Sequence, residues 1–373
     1  MQQAIISTDQ LVWMHCSSLG EFEQGRPVLE KLKGQNPKIK ILLTFFSPSG
    51  FEVRKNYPGA DYIFYLPIDS PQNARTFFDI VKPEFILFVK YEFWYYYLHE
   101  AKKRNIPLLL ISGIFRNSQL FFKFYGSFYR KMLRCFTHLF VQNEESVTLL
   151  GSIGLNKNVS LSGDTRFDRV IEIAEGFEPI AAIDKFCADH DVIVAGSTWN
   201  DDDEELDHYA NTETHLRFII APHDIGADRI EECKRLYKHS ILYSQLKETI
   251  SQDINTIIVD NVGMLSRLYK FATVCYVGGG FGEDGVHNVL EAAVYGKPVV
   301  FGPEYEKYFE AKELVESGGG ITVSSALELE KELDKLLKKD DEYYAICRAS
   351  KDYVYSKKGA TDEIITYINQ NVF

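Results

Sequence analysis

The sequence predicts an α/β protein made of two halves, each an open, Rossmann-like parallel sheet with helices packed on it. Two observations carry that expectation. Short apolar runs rich in β-branched and aromatic residues alternate with amphipathic stretches almost throughout, which is the rhythm of βαβ units. The rhythm fades once, near residues 170–186, and then resumes. A chain of 373 residues is also longer than one hydrophobic core usually serves.

In chain order, the first half offers "LVWMHCS", "KILLTFF", "YIFYLPI", "FILFVKY", "PLLLISG" and "HLFVQN" as strands, with helical stretches such as 27–33 and 52–56 between them. "VIEIAEGFEPIAAIDKF" joins the halves. The second series then runs "DVIVAGS", "LRFIIAP", "HSILYSQ", "TIIVDN", "TVCYVGGG" and "KPVVFGP". From residue 326 the period is helical and charged. The expected domains are 1–170 and 186–345, with 346–373 as a closing helix returning to the first. Two such sheets are expected to face each other, with their strand carboxyl ends around a shared cleft.

Composition narrows the function. The chain is 45% apolar, 14% aromatic and 25% charged, which suits a packed globular protein. Its six cysteines contain no C-x-x-C pair, so neither a zinc ribbon nor a disulfide framework is signalled. No run reaches the roughly 18 to 20 apolar residues of a membrane span. A net charge of −12 argues against a general nucleic-acid binder. The charge is uneven, however. Between Ala101 and Asn143 there are eight Lys and Arg and no acid. Arg116, Lys123, Arg130, Lys131 and Arg134 alternate there with Phe and Tyr, a mixture suited to an anionic lipid surface; a core helix with solvated basic residues is the plainer alternative.

Every informative loop follows a strand. In "HCSSLGE", Ser17, Ser18 and Gly20 turn the chain toward a helix, and Glu21 falls in its first turn. That acid is either a helix-start carboxylate favoured by the dipole or a general base, and spacing does not choose between them. Glu92, in "KYEFWYYY", ends another strand as a structural anchor or a second site carboxylate. "VGGGFGEDGVHNVLE" spells G-x-G-x-x-G with Gly280, Gly282 and Gly285, the weak signature of a dinucleotide site with Glu304 as ribose acid. Alternatively, Gly278, Gly279 and Gly280 bring amides close to a phosphate while Glu291 receives a ribose, because so many glycines are costly unless backbone must approach a ligand. Gly196, Ser197 and Thr198 offer donors to an anion. Asp201 to Glu205 read as a solvated first turn rather than a metal site. Pro222, His223, Gly263 and Met264 join the same expected rim.

Together these segments resemble the 3-deoxy-D-manno-octulosonic acid (Kdo) transferases of lipopolysaccharide synthesis. The resemblance runs in order through "WMHCSSLGE", "LLTFFSPSG", "YLPIDSP", "KYEFW", "GDTRFD", "AGST", "IIAP", "VGGGF", "HNVLEAAVYGKPVVFGP" and "SGGG". It implies a B-type glycosyltransferase fold and inverting transfer of Kdo from CMP-Kdo to the lipid A precursor lipid IVA, without a cofactor or metal. It further implies Glu21 as catalytic base with Glu92 as a second acid, and a CMP site containing Gly278 to Gly280, Asn288, Glu291, Gly263 and Met264. Arg166, which stands where the family carries a lysine, belongs by the resemblance to the donor site, and Ser18 and Gly20 to the acceptor side. The implied partners are the lipid A precursor and the anionic cytoplasmic face of a bacterial inner membrane, with peripheral attachment. Family members usually carry an anchoring helix before "WMHCSSLGE", where this sequence has twelve residues. His223 stands where the family has a permanent cation. Another nucleotide-sugar transferase or an epimerase, a nicotinamide dehydrogenase and a non-catalytic lipid binder are the alternatives. Oligomeric state is not legible.

Overall fold

The computed structural model describes residues 10–91, 93–246, 251 and 253–372. The chain divides into two units, one running up to Arg169 and resuming from Lys357, the other Val170–Ser356.

Among the described residues the first unit holds a seven-stranded parallel sheet. Its strands are β1 (Leu11–Cys16), β2 (Lys40–Phe45), β3 (Tyr62–Tyr65), β4 (Phe85–Val89), β5 (Leu108–Gly113), β6 (His138–Val141) and β7 (Val159–Leu161). They lie in the order β3-β2-β1-β4-β5-β6-β7. β1 and β4 are buried along their whole length, as strands covered by helices on both faces must be. Trp13 is fully buried between Phe77, Phe78, Phe88 and Tyr97, and its indole N–H donates to Thr44 Oγ1 at 2.8 Å, so this large ring leaves no polar atom unpaired. Ser18, Ser47, Ser70 and Asn143 cap the helices that follow β1, β2, β3 and β6.

The second unit repeats the plan with β8 (Val192–Thr198), β9 (Arg217–Pro222), β10 (Ser240–Leu242), β11 (Thr256–Ile258), β12 (Val274–Val277), β13 (Val299–Phe301) and β14 (Gly320–Thr322). The order is β10-β11-β9-β8-β12-β13-β14, again all parallel. The two α/β sheets expected from the sequence are present. Each has one strand more than the apolar runs indicated, the three-residue edge strands β7 and β14.

The closing segment divides. Residues up to Tyr355 complete the helix Asp341–Tyr355 of the second unit, and the helix Ala360–Asn371 belongs to the first. Ile364, Ile365 and Ile368 enter the first unit's core beside Val12, Phe22 and Ile111, burial that stabilises by about 1.5–3 kcal/mol per side chain. Tyr367 packs on His138 at 4.3 Å. The start of this helix is held by Asp168, whose carboxylate accepts from the amides of Gly359 and Thr361, both at 2.6 Å. Gly359 has φ 122, a conformation that favours glycine. Among the described residues no helix is long and apolar enough to cross a membrane.

Asp168 thus does for the returning helix what a capping side chain does locally. Asp168→Ala should lower the unfolding free energy by about 1–2 kcal/mol and speed hydrogen exchange across 360–371. Unchanged exchange would mean that the isoleucines alone hold the helix.

Candidate functional site

In each sheet the strand order reverses direction once, between β1 and β4 in the first unit and between β8 and β12 in the second. Ligands of open α/β sheets bind outside the strand carboxyl ends at such reversals. All strands in a unit are parallel, so the loops after β8, β9, β11 and β12 leave one edge of the second sheet together. Three strands on these edges end with a non-glycine residue in the left-handed region: Lys90 after β4, Ser112 in β5 and Ser197 in β8, with φ 65, 54 and 56. Backbone strain of this kind gathers at functional edges.

In the first unit, Glu21 follows β1 at the reversal point. It is the third residue of the helix Leu19–Gln35, and with Ser18 it forms a capping box. Its Oε2 accepts from Ser17 N at 2.5 Å and Ser18 N at 3.4 Å. The side chain is 9% exposed. Gly20 beside it is exposed and has open space where a side chain would stand. Glu92 lies outside the described residues. Arg166, expected in the donor site of the second half, belongs to the first unit. Its guanidinium donates from Nε and Nη2 to Asp164 Oδ2 at 2.9 and 2.8 Å, and Gln24 Nε2 donates to the same oxygen at 3.3 Å. Burial would raise the Asp164 carboxyl; Arg166 and Lys90 outweigh it and hold the group below its ordinary value.

The second unit gathers the remaining residues on one edge. Gly196, Ser197 and Thr198 end β8, Pro222 and His223 end β9, Gly263 and Met264 follow β11, and Gly278 to Gly280 follow β12. Asn288 Nδ2 donates to Glu291 Oε1 at 3.1 Å, and Asn288 Oδ1 accepts from Leu290 N, which fixes the start of the helix Leu290–Ala293. The glycines of this edge answer to the protein itself. A side chain on Gly278 would strike the backbone of Ser197 and Thr198, one on Gly280 the backbone of Gly302, and one on Gly279 (φ 93) the Gly285 carbonyl and His287. The expectation that these amides cradle a phosphate needs correction for two of the three. Gly278 N donates to Gly196 O at 2.9 Å, and Gly279 N to Asp202 Oδ2 at 2.8 Å.

Asp202 is the residue that the sequence reading misjudged most. Expected in solvent, it is fully buried, as is Asp203. The Asp202 carboxylate also accepts from Trp199 N and from the Tyr276 hydroxyl, each at 2.8 Å. Burial raises its pKa despite these donors. Asp203 pairs with the Arg229 guanidinium and takes the Tyr237 hydroxyl at 2.8 Å.

Trp199, His223 and His287 form a stack that sequence reasoning did not assemble. The His223 and His287 rings lie 4.4 Å apart at 10°, and the Trp199 and His223 rings 4.6 Å apart. Trp199 and His223 are each the first residue past two neighbouring strands, which is the signal that could have joined them.

The basic and aromatic segment lies in the first unit, between β5 and β6. Phe124 is 93% exposed, and Leu120, Tyr125 and Phe128 are exposed with it. Arg116, Lys131 and Arg134 are exposed too, and Lys123 half-buried. Arg130 departs from expectation, because its Nη1 donates to the carbonyls of Phe121 and Lys123 at 3.0 and 2.9 Å and so braces the loop.

Comparison with known proteins agrees with the geometry. A family described as 3-deoxy-D-manno-octulosonic-acid transferase (kdotransferase) matches residues 2–169. A 3-deoxy-D-manno-octulosonic acid transferase of Aquifex aeolicus is 30% identical over 336 residues, covering 87% of this chain and 86% of that protein. A bifunctional glycosyltransferase/methyltransferase of Fusobacterium nucleatum is 27% identical over 89% of this chain, which spans about half of that relative, 53%. Among solved structures, a UDP-GlcNAc 2-epimerase from Neisseria meningitidis bound to UDP-GlcNAc aligns with TM-score 0.65 at 17% identity, over 97% of this chain and 100% of that one. That likeness concerns the fold, the two-unit α/β architecture of the B-type glycosyltransferases.

Asp202→Ala would leave two amides and a hydroxyl buried without an acceptor, at about 1–3 kcal/mol each. Urea unfolding should show a loss above about 3 kcal/mol, whereas Asp201→Ala, at an exposed neighbour, should stay within about 0.5 kcal/mol. Equal effects of the two changes would refute the anchoring role.

Proposed function

The chain belongs to the 3-deoxy-D-manno-octulosonic acid (Kdo) transferase family of glycosyltransferases, and from that premise we propose that it moves Kdo from CMP-Kdo to a hydroxyl of lipid IVA, the lipid A precursor, with inversion. In this reading the second unit holds the donor and the first unit receives the acceptor. CMP-Kdo is a substrate, and no resident cofactor or metal enters the proposal.

The observation that carries the reading is the placement of Glu21. A carboxylate at the reversal point of a parallel sheet, fixed by a capping box and flanked by open space at Gly20, is a general base held ready for an incoming hydroxyl. The capping role and the base role are compatible. The Ser17 and Ser18 amides donate to the carboxylate and hold the side chain in one rotamer. CMP is a good leaving group, so the enzyme must chiefly remove the acceptor proton and stabilise the departing phosphate. Gly263, Met264, Asn288 and Glu291 are the proposed nucleoside contacts. Glu92 is retained as a proposed second acid.

The acceptor is an anionic lipid, and the exposed Leu120, Phe124, Tyr125 and Phe128 among cations support a peripheral docking face for the inner membrane.

Glu21→Gln keeps the side chain's length and should preserve folding and CMP binding. Mass analysis after incubation with CMP-Kdo and lipid IVA should then show transfer reduced by at least about 100-fold; full transfer would leave Glu21 a helix cap only. In thermal shift, CMP should stabilise the protein more than UDP or NAD. Replacing Lys123, Lys131 and Arg134 together by Gln should weaken binding to anionic vesicles by about 1 kcal/mol per charge, and unchanged binding would remove the docking face.

A further inference from the structure

The four loops after β8, β9, β11 and β12 carry no Lys or Arg, yet they contain Asp224, Asp260, Glu283 and Asp284. Two glycine amides at the same edge are already bonded to the protein. Within these loops a phosphate therefore meets acids and no permanent cation; Lys307, from the segment after β13, reaches only the outer end of the loop after β12, where its ammonium donates to the Glu283 carbonyl at 3.4 Å, and the side chains in the loops themselves able to become positive are His223 and His287.

Geometry separates the two imidazoles. The Trp199 indole N–H only donates, and it points at His287 Nε2 at 3.0 Å, so that nitrogen carries a lone pair and His287 is neutral. Burial, with His223 beside it, pushes His287 down to about 4. Two imidazolium rings stacked at 4.4 Å would repel each other, so the pair holds one charge at most. His223 is the exposed member. Its packing against the neighbouring rings lowers its value below that of an ordinary histidine, while Asp224 on its own loop and Asp284 on the loop after β12 pull the other way. On the remaining side, the Asp202 carboxylate is turned to the Trp199 and Gly279 amides and the Tyr276 hydroxyl.

We infer that His223 is a proton-loaded ligand for the nucleotide phosphate: it takes one proton from solvent as the phosphate binds, with neutral His287 stacked beneath it. No other bond changes in this step. The inference rests on the proposed nucleotide site and assigns its charge to a group that is neutral until the ligand arrives. The sign follows from linkage. Binding raises the His223 pKa, so affinity is greatest below the value in the free protein and falls as pH rises through the value in the complex.

The test is calorimetry with CMP at pH 7.5 in two buffers of different ionisation enthalpy. Net uptake of a substantial fraction of one proton per CMP is expected for the wild type, and none for His223→Gln, which should also bind about tenfold more weakly at pH 6.5. His223→Lys keeps a charge at all these pH values, so the ratio of wild-type to His223→Lys dissociation constants should grow about tenfold between pH 6.5 and 8, with the nucleotide's own ionisation common to both. If the variants melt early, the wild-type proton count decides alone. CMP binding without proton uptake would overturn the inference and leave the nucleotide reading standing; no CMP binding at any pH would overturn both.

Discussion

A buried carboxylate that has given up its water must be surrounded by donors, and in the second unit that requirement shapes the edge where the donor nucleotide is proposed to bind. Asp202 collects Trp199 N from the loop after β8, Gly279 N from the loop after β12 and the hydroxyl of Tyr276 from β12 itself. The two loops flank the point where strand order reverses. Tying them to one side chain sets the close approach that leaves no room for a β-carbon on Gly278, and it brings Trp199 over the histidines of the neighbouring loops.

The first unit uses the same position differently. Glu21 and Asp202 are each the third residue of the helix that follows the first strand of its sheet in chain order, β1 or β8, at the point where strand order reverses. Both bond the amide just before their helix. Asp202 is committed on all sides and holds structure together. Glu21 is held by two amides of its own loop beside a glycine open to solvent, and it is the residue proposed as the base. One local device, an acid in the first helical turn, thus serves architecture in one unit and is proposed to serve chemistry in the other.

Much of this was legible in the sequence, because parallel strands buried on both faces must be apolar and twelve of the fourteen described strands lie in apolar runs that stand out. β7 and β14 make no such run: Ser160 interrupts β7, and β14 follows a glycine run and holds one large apolar residue, Ile321, whereas the equally short edge strand β10 was visible because Ile241, Leu242 and Tyr243 are consecutive. Glu21, His223 and the glycine loop stand out in the sequence by their place after strands. The burial of Asp202 and Asp203 was not, since an acid cluster at a helix start reads as solvated until partners more than 25 residues away fold over it, such as Arg229, Tyr276 and Gly279. The glycines did announce a close approach, but the approaching body is backbone. Arg130 was misread for the same reason: its acceptors are carbonyls, which carry no sequence signature.

The second unit is an insertion between Arg169 and Lys357 of the first, and the helix Ala360–Asn371 completes the first unit's core. During synthesis the amino-terminal sheet therefore leaves the ribosome without its last covering helix. The apolar surface awaiting Ile364, Ile365 and Ile368 stays wet until the intervening unit has been made with all its described strands. Order of manufacture and order of completion are inverted: the half that emerges first is the half that is completed last.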